Sequence, residues 1–366
     1  EEGGYGGGFL LYVFKYNRSK ILLLLGQLAA AESQIDQVIK TTDFSSVNTP
    51  TFFAQKGRIH SRRQLKDSAV VAFKTAIEQI HQGEQPLKDD FSNFEPSKIF
   101  KHNEVFYTIA NDLSTYFSKD EDVKKFVALI YQLGFLQFEA SYDRRKYNKR
   151  QDLYLRRIVH GLIKSKRWSY NQDISHPNLL NRFENIRNEL IWLEFYQNRK
   201  TDNLAGLELL LSEKKVQLTA IAEAQNANNT KVKDSLQTAL ELTQYAINES
   251  YPNADLLREH NFDIAELQGR MHKNQCILKY VIVGEELIIF KITKAKIEVQ
   301  LVDWIYQEQV NQFRLAAISN NVTEVEEISK GLAEVLIPNI ESNYTSLIIN
   351  PDGVLARLPF ESLIKD

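Results

Sequence analysis

From Phe9 to about residue 260, apolar positions recur at intervals of three and four, the spacing that gathers them on one face of a helix. The pattern predicts helix after helix. Phe53–Gln79 reads as a helical hairpin, and Asn103–Phe117 with Glu121–Phe138 as another, separated by the capping-type run Ser118-Lys-Asp-Glu. His81–Pro96, interrupted by Gly83 and Pro86, is a loop. Asp152–Lys166 sets Leu155, Ile158, Leu162 and Ile163 on one face. Pro177 opens a long amphipathic stretch, Leu179–Asn198 and then Asn203–Ala224. The polar run Gln225–Thr230 breaks it before a further helix, Lys231–Asn248.

After a helix at Asn261–Lys273 the period changes. Cys276–Val283, Glu286–Thr293 and Lys296–Val302 are β-branched and aromatic runs, joined by Gly284-Glu285 and Lys294-Ala295. Connections this short make neighbouring strands antiparallel, so a three-stranded meander is expected. Asp303 is expected to cap a helix over Trp304–Ser319, and Thr323 with Glu326 to form a capping box for the helix ending near Ile337. Ser346–Asn350 reads as a buried strand running into the turn Pro351-Asp352-Gly353. There proline presets φ, aspartate bonds nearby backbone and glycine accepts φ > 0. Pro359 then starts a short helix that carries Phe360 and Leu363 inward, with Glu361 placed for the helix dipole. A lone strand of this kind has apolar faces to cover, so the C-terminal end is expected to be adhesive.

Two resemblances emerge from these residues. Gly57, Ala69, Phe73 and Ala76 stand at offsets 0, 12, 16 and 19. That is similar to the tetratricopeptide repeat, in which small residues let two helices approach and an aromatic fills the groove beside them. His60 stands where that family usually has tyrosine. Ala31, Ile35 and Val38 repeat the spacing of Ala69, Phe73 and Ala76 thirty-eight positions earlier, with Gly26 opening the second helix. About three stacked units are needed for a continuous core, so the later helices are expected to continue the stack. The stretch Leu347–Leu363, with Pro351, Asp352, Gly353, Leu358, Pro359, Phe360 and Glu361, resembles the signature near the start of CHAT domains, the caspase-like cysteine peptidases found behind tetratricopeptide repeats. The meander before it is similar to the first sheet of that family. The resemblance implies a mainly α, tetratricopeptide-like solenoid followed by a partial α/β caspase-like domain. It divides the chain into a flexible lead-in at 1–8, helical repeats at 9–180, a long helical hairpin linker at 181–260 and an incomplete CHAT domain at 261–366. In the family the nucleophilic cysteine and its histidine lie downstream of the signature. The resemblance therefore implies a regulatory, partner-binding portion of such a peptidase, itself without the Cys–His dyad. A protein or peptide partner would occupy the repeat array, and the remainder of the peptidase domain the C-terminal end. The alternative is a non-catalytic interaction scaffold.

Composition changes this picture little. With 366 residues, 43% hydrophobic and 25% charged, the chain has room for two or three cores. A formal charge of −2 gives no general pull toward nucleic acid or membrane. The single cysteine, Cys276, excludes an internal disulfide and fits a reducing cytoplasm. Apolar runs at Phe9–Phe14 and Ile21–Leu25 are divided by Lys15, Arg18 and Lys20, so neither reaches the roughly 18–20 residues of a membrane span. Met271 is the only methionine, and the chain reads as a piece of something longer at both ends.

The local chemistry is sparse. Arg144, Arg145, Lys146, Lys149, Arg150, Arg156 and Arg157 form a basic run with interleaved tyrosines, a candidate surface for RNA or for an acidic partner. No nucleic-acid motif accompanies it, and a solvated helix face is the favoured reading. Cys276 lies four residues after His272, but helix is expected to give way to strand between them, and no third group orients the histidine. No histidine pair has ligand spacing, so no metal is expected. Gly3–Gly8 lack the strand, lysine and hydroxyl of a phosphate loop, and no cofactor is expected.

Overall fold

The computed structural model describes residues 5–41, 48–100, 102–141, 149–165, 176–198, 204–226, 230–250, 262–338 and 344–363. It is mostly helical, with a small mixed sheet of four strands toward the C-terminal end. In chain order the elements are α1 (Tyr5–Leu24), α2 (Leu28–Thr41), α3 (Thr49–Arg62), α4 (Lys66–Glu78), α5 (Glu104–Tyr116), α6 (Glu121–Ser141), α7 (Lys149–Ser165), α8 (His176–Asn198), α9 (Leu204–Asn226), α10 (Thr230–Ser250) and α11 (Ile264–Arg270). There follow β1 (Gln275–Val283), β2 (Glu286–Thr293), β3 (Ile297–Asp303), α12 (Gln307–Ile318), α13 (Val322–Leu336) and β4 (Ser346–Asn350). Among the described residues, no helix is long and apolar enough to cross a membrane.

The first two hairpins are built alike. Helix α1 ends where Gly26 takes φ +75°, with Gly26 N–H donating to Leu23 O and Gln27 N–H to Leu22 O. Helix α3 ends in the same Schellman pattern at Gln64, φ 61°, with Gln64 N–H donating to Ser61 O and Leu65 N–H to His60 O. These turns lie thirty-eight positions apart, as do the buried sets Ala31, Ile35, Val38 and Ala69, Phe73, Ala76. A Cβ added to Gly57 would stand 2.4 Å from the Phe73 ring, so only glycine lets α3 and α4 approach this closely. Leu23, Ala31, Ile35, Val38, Phe52 and Ile59 form one core shared by both hairpins. The next hairpin attaches through ion pairs, Arg58 Nε to Asp112 Oδ2 and Lys66 Nζ to Asp120 Oδ2, both at 2.8 Å. Asp120 also caps α6 by accepting from the N–H groups of Asp122 and Val123, as the Ser118–Glu121 signal predicts.

Strand order is β3-β2-β1-β4, with β1, β2 and β3 antiparallel and β4 parallel to β1. One face of the sheet carries Cys276, Leu278, Tyr280, Leu287 and Ile289 into a core with Trp304, Val310 and Phe313 from α12 and its approach and Leu332 and Leu336 from α13. There Tyr280 Oη donates to Leu336 O at 2.7 Å. Ile277, Val281, Ile288, Phe290 and Ile292 on the other face are buried as well. Burial on both faces explains why these strands read as near-continuous apolar runs. On β4, Leu347 and Ile348 remain 40% and 44% exposed.

Several local expectations need correction. Helix α1 begins at Tyr5 and takes in Gly6–Gly8, where the sequence predicts a flexible lead-in. Extending an existing helix needs no new nucleus, and Tyr12, Tyr16 and Leu22 pack the turns that follow. Asp303 closes β3 and caps nothing; α12 starts four residues later with no side-chain cap. The capping box of α13 lies two residues before the predicted one. Asn321 accepts from Glu324 N–H, and its Nδ2 donates to Glu324 Oε2 at 2.8 Å. After the turn the chain forms two 3-10 segments, Gly353–Arg357 and Phe360–Ser362, in place of one short helix.

The chain falls into two compact units, one of Glu1–Tyr142, Leu153–Leu179 and Ala265–Asp366, the other of Asp143–Asp152 and Leu180–Ile264. The second unit holds α9, α10 and most of α8. Its α9 and α10 are bonded by Gln217 Nε2 donating to Thr243 Oγ1 at 3.0 Å, and Asn181 and Asn185 of α8 accept from the N–H groups of Ile264 and Phe262. The helical front and the α/β end, read from the sequence as separate domains, fall together in the first unit.

Gly57 and Gly331 make opposite predictions. Gly57→Ala forces the Phe73 ring aside and is expected to destabilise by about 1–3 kcal/mol. Gly331, in α13, has nothing within 4 Å of its added Cβ. Gly331→Ala is therefore expected to stabilise by about 0.5–1 kcal/mol through helix propensity alone. Denaturant unfolding of the two variants checks both signs.

Candidate functional site

Helix α7 carries polar side chains in two adjacent stripes, above the buried Leu155, Ile158, Val159, Leu162 and Ile163. The first stripe is Arg156, His160 and Lys164, spaced i, i+4, i+8 and so stacked on one face. The second is Arg157, Gly161 and Ser165, one position further round.

Arg156 meets the turn after β4. Its Nη1 donates to Asp352 Oδ2 and, at 3.3 Å, to Ile282 O, while Nη2 donates to Asp352 Oδ1 at 3.3 Å. Asp352 also accepts from Ile282 N–H at 2.9 Å. The Asp352 side chain is 4% exposed and that of Arg156 14%, so this is a buried, bidentate pair with further hydrogen bonds on both partners. Gly353 follows at φ +53°, the conformation the sequence assigns to it. Leu355 and Leu358 then enter the core, with Phe360 packed 5.5 Å from the Tyr280 ring. Pro351 and Pro359 are half-buried, and Glu361 is exposed in its 3-10 segment.

One and two turns along, His160 Nε2 lies 3.0 Å from Glu286 Oε2 and Lys164 Nζ 2.7 Å from Glu286 Oε1. The imidazole is nine-tenths buried, with Nε2 held against the Glu286 carboxylate. Burial holds His160 below its ordinary value of 6.5, with the Glu286 charge opposing that shift. In the second stripe, Arg157 lies over the Tyr107 ring at 4.9 Å. A Cβ on Gly161 would collide with the Tyr131 ring. Two cavities adjoin here, sharing Tyr107, His160 and Glu286. One, of about 350 Å³, lies between α5, α6, α7 and β2; the other, of about 530 Å³, adds Arg157, Gly284, Glu285, Asp303 and Ile305.

The basic run is therefore divided. Lys149 and Arg150 are exposed, whereas Arg156 and Arg157 turn inward onto Asp352 and Tyr107. Arg144, Arg145 and Lys146 lie outside the described residues. Sequence reasoning missed Arg156 as the partner of Asp352, and missed His160, Tyr107, Tyr131 and Glu286 altogether. The i, i+4, i+8 spacing of Arg156, His160 and Lys164 was the available signal. Cys276 is fully buried in β1 and burial pushes its thiol up, while α11 ends at Arg270, so His272 and Cys276 share no helix face. Among the described residues, no cluster of three His, Cys, Asp or Glu could hold a metal ion.

No protein-family model matches the chain, and no curated protein or solved structure does.

Arg156→Ala leaves the Asp352 carboxylate buried without its counter-charge and is expected to cost about 3–5 kcal/mol. The apolar double variant Arg156→Met/Asp352→Leu should cost less than the sum of its single changes in a denaturant-unfolding cycle. His160 gives a second test. A folded pKa below the unfolded one means that stability is complete above about pH 6.5 and declines as pH falls toward the folded value. His160→Gln is expected to flatten that decline. His60, also lowered by burial, and His102, raised by Glu104, contribute equally to both proteins and cancel in the difference.

Proposed function

We propose that the chain is the regulatory, partner-binding portion of a CHAT-type cysteine peptidase, without the Cys–His dyad that performs hydrolysis. The helical front binds a protein or peptide, and the α/β end is the non-catalytic beginning of the peptidase fold. The observation that carries this reading is the Arg156–Asp352 pair: the aspartate of the CHAT-like motif is gripped by a helix that follows the repeat-like hairpins. Partner binding that shifts α7 would thereby move the turn leaving β4. Two hairpins repeated at thirty-eight positions support the tetratricopeptide comparison. The inert setting of Cys276 supports a non-catalytic role for these residues. One observation favours a pure scaffold instead: Leu347 and Ile348, exposed on an edge strand, suit an assembly surface.

The chain is expected to cleave no member of a mixed peptide library, with Cys276→Ala indistinguishable from it. Cleavage that disappears in Cys276→Ala overturns the reading. The parent reading frame decides between the alternatives: a histidine and then a cysteine, each ending an apolar strand after the signature, support the peptidase, and their absence leaves the scaffold.

A further inference from the structure

We infer that the cavity between α5, α6, α7 and β2 is a binding site for an aromatic group bearing a carboxylate. Its volume of about 350 Å³ lies at the lower end of the range for small-molecule sites. Tyr107, Phe117, Tyr131, Val123 and Val127 supply apolar and aromatic wall, suited to edge or offset contact with a ring. Lys124 and Lys164 supply charge, with Ser114, Ser118 and Asn111 nearby as hydrogen-bonding groups. Among the described residues Glu286 is the only acid in this lining, and both of its oxygens are engaged, by His160 and Lys164. Two lysines against one glutamate leave the lining net positive. Lys124 also contacts Glu121 at 2.7 Å, an exposed i, i+3 pair that a ligand carboxylate can displace.

His160 lines the cavity and is nine-tenths buried, with Nε2 3.0 Å from Glu286 Oε2. Gly161 keeps the wall open: any side chain there would meet the Tyr131 ring.

The same chemistry has two sources, a free aryl carboxylate or the C-terminal aromatic residue of a peptide. The adjoining cavity of about 530 Å³ separates them, since a peptide would continue past His160 toward Glu285 and Asp303, whose carboxylates can accept its N–H groups.

Calorimetric titration of the chain with N-acetylphenylalanine, its amide, and the tetrapeptide Ala-Ala-Ala-Phe with a free C-terminus tests the inference. The acid is expected to bind at least about tenfold more tightly than the amide, the effect of one charge-assisted hydrogen bond. Lys164→Met/Lys124→Met should erase that preference with its unfolding midpoint retained. Tighter binding of the tetrapeptide than of N-acetylphenylalanine assigns a peptide end, and equal or weaker binding assigns a free small acid. Equal affinity for acid and amide, no binding of any probe, or an undiminished preference in the folded double-lysine variant overturns the inference.

Discussion

A buried guanidinium is tolerated only where a carboxylate and further acceptors meet it, and in this molecule that requirement fixes the meeting of three segments. Strand β4 stops opposite Lys279, so beyond it β1 has no neighbour on that side. Asp352 supplies the next rung with its side chain, accepting from Ile282 N–H, and Arg156 takes the Ile282 carbonyl. One residue of β1 thus has both backbone groups satisfied by an ion pair whose members are 196 positions apart. The turn after β4, the end of β1 and the middle of α7 are held by the same few atoms.

That arrangement explains why α7 is neither a surface helix nor a simple core helix. Its apolar positions are buried, yet the polar positions beside them are also engaged. Arg156, His160 and Lys164 face the sheet; Arg157 and Gly161 face Tyr107 and Tyr131 of α5 and α6. Glycine at position 161 is required by the closeness of the Tyr131 ring. A helix committed on these faces is confined in rotation, because turning it by one residue would take Arg156 from Asp352 and Gly161 from the Tyr131 ring.

Most of the fold was legible because its signals are local. Helix positions along α5 to α10, the meander and the glycine after Asp352 follow from periodicity and turn chemistry within a few residues. Gly57 and Phe73 were legible at longer range because a known helical crossing has a fixed spacing. The site was legible only in part. Asp352 read as a turn residue, which it is, but the turn pattern contains nothing about a guanidinium from α7. Arg156 was hidden among neighbouring cations, where charge counting treats each one as solvated. The missed caps at α12 and α13 have a different cause: Asp303 and Thr323 suit a cap by residue type, but strand pairing claims Asp303, and Asn321 offers its oxygen to the correct N–H first.

Two kinds of contact join the elements of the first unit. Helices α1 to α3 share an apolar core, close-packed as protein interiors are. The joints beyond them are directional: Arg58 to Asp112, Lys66 to Asp120, and then α7 to Asp352 and Glu286. Of these pairs only Arg156 with Asp352 is buried on both sides; Lys66 and Lys164 are 43% and 62% exposed and reorient at little cost. Along this series the apolar contacts come first and the most buried ion pair last, at the turn that Asp352 begins.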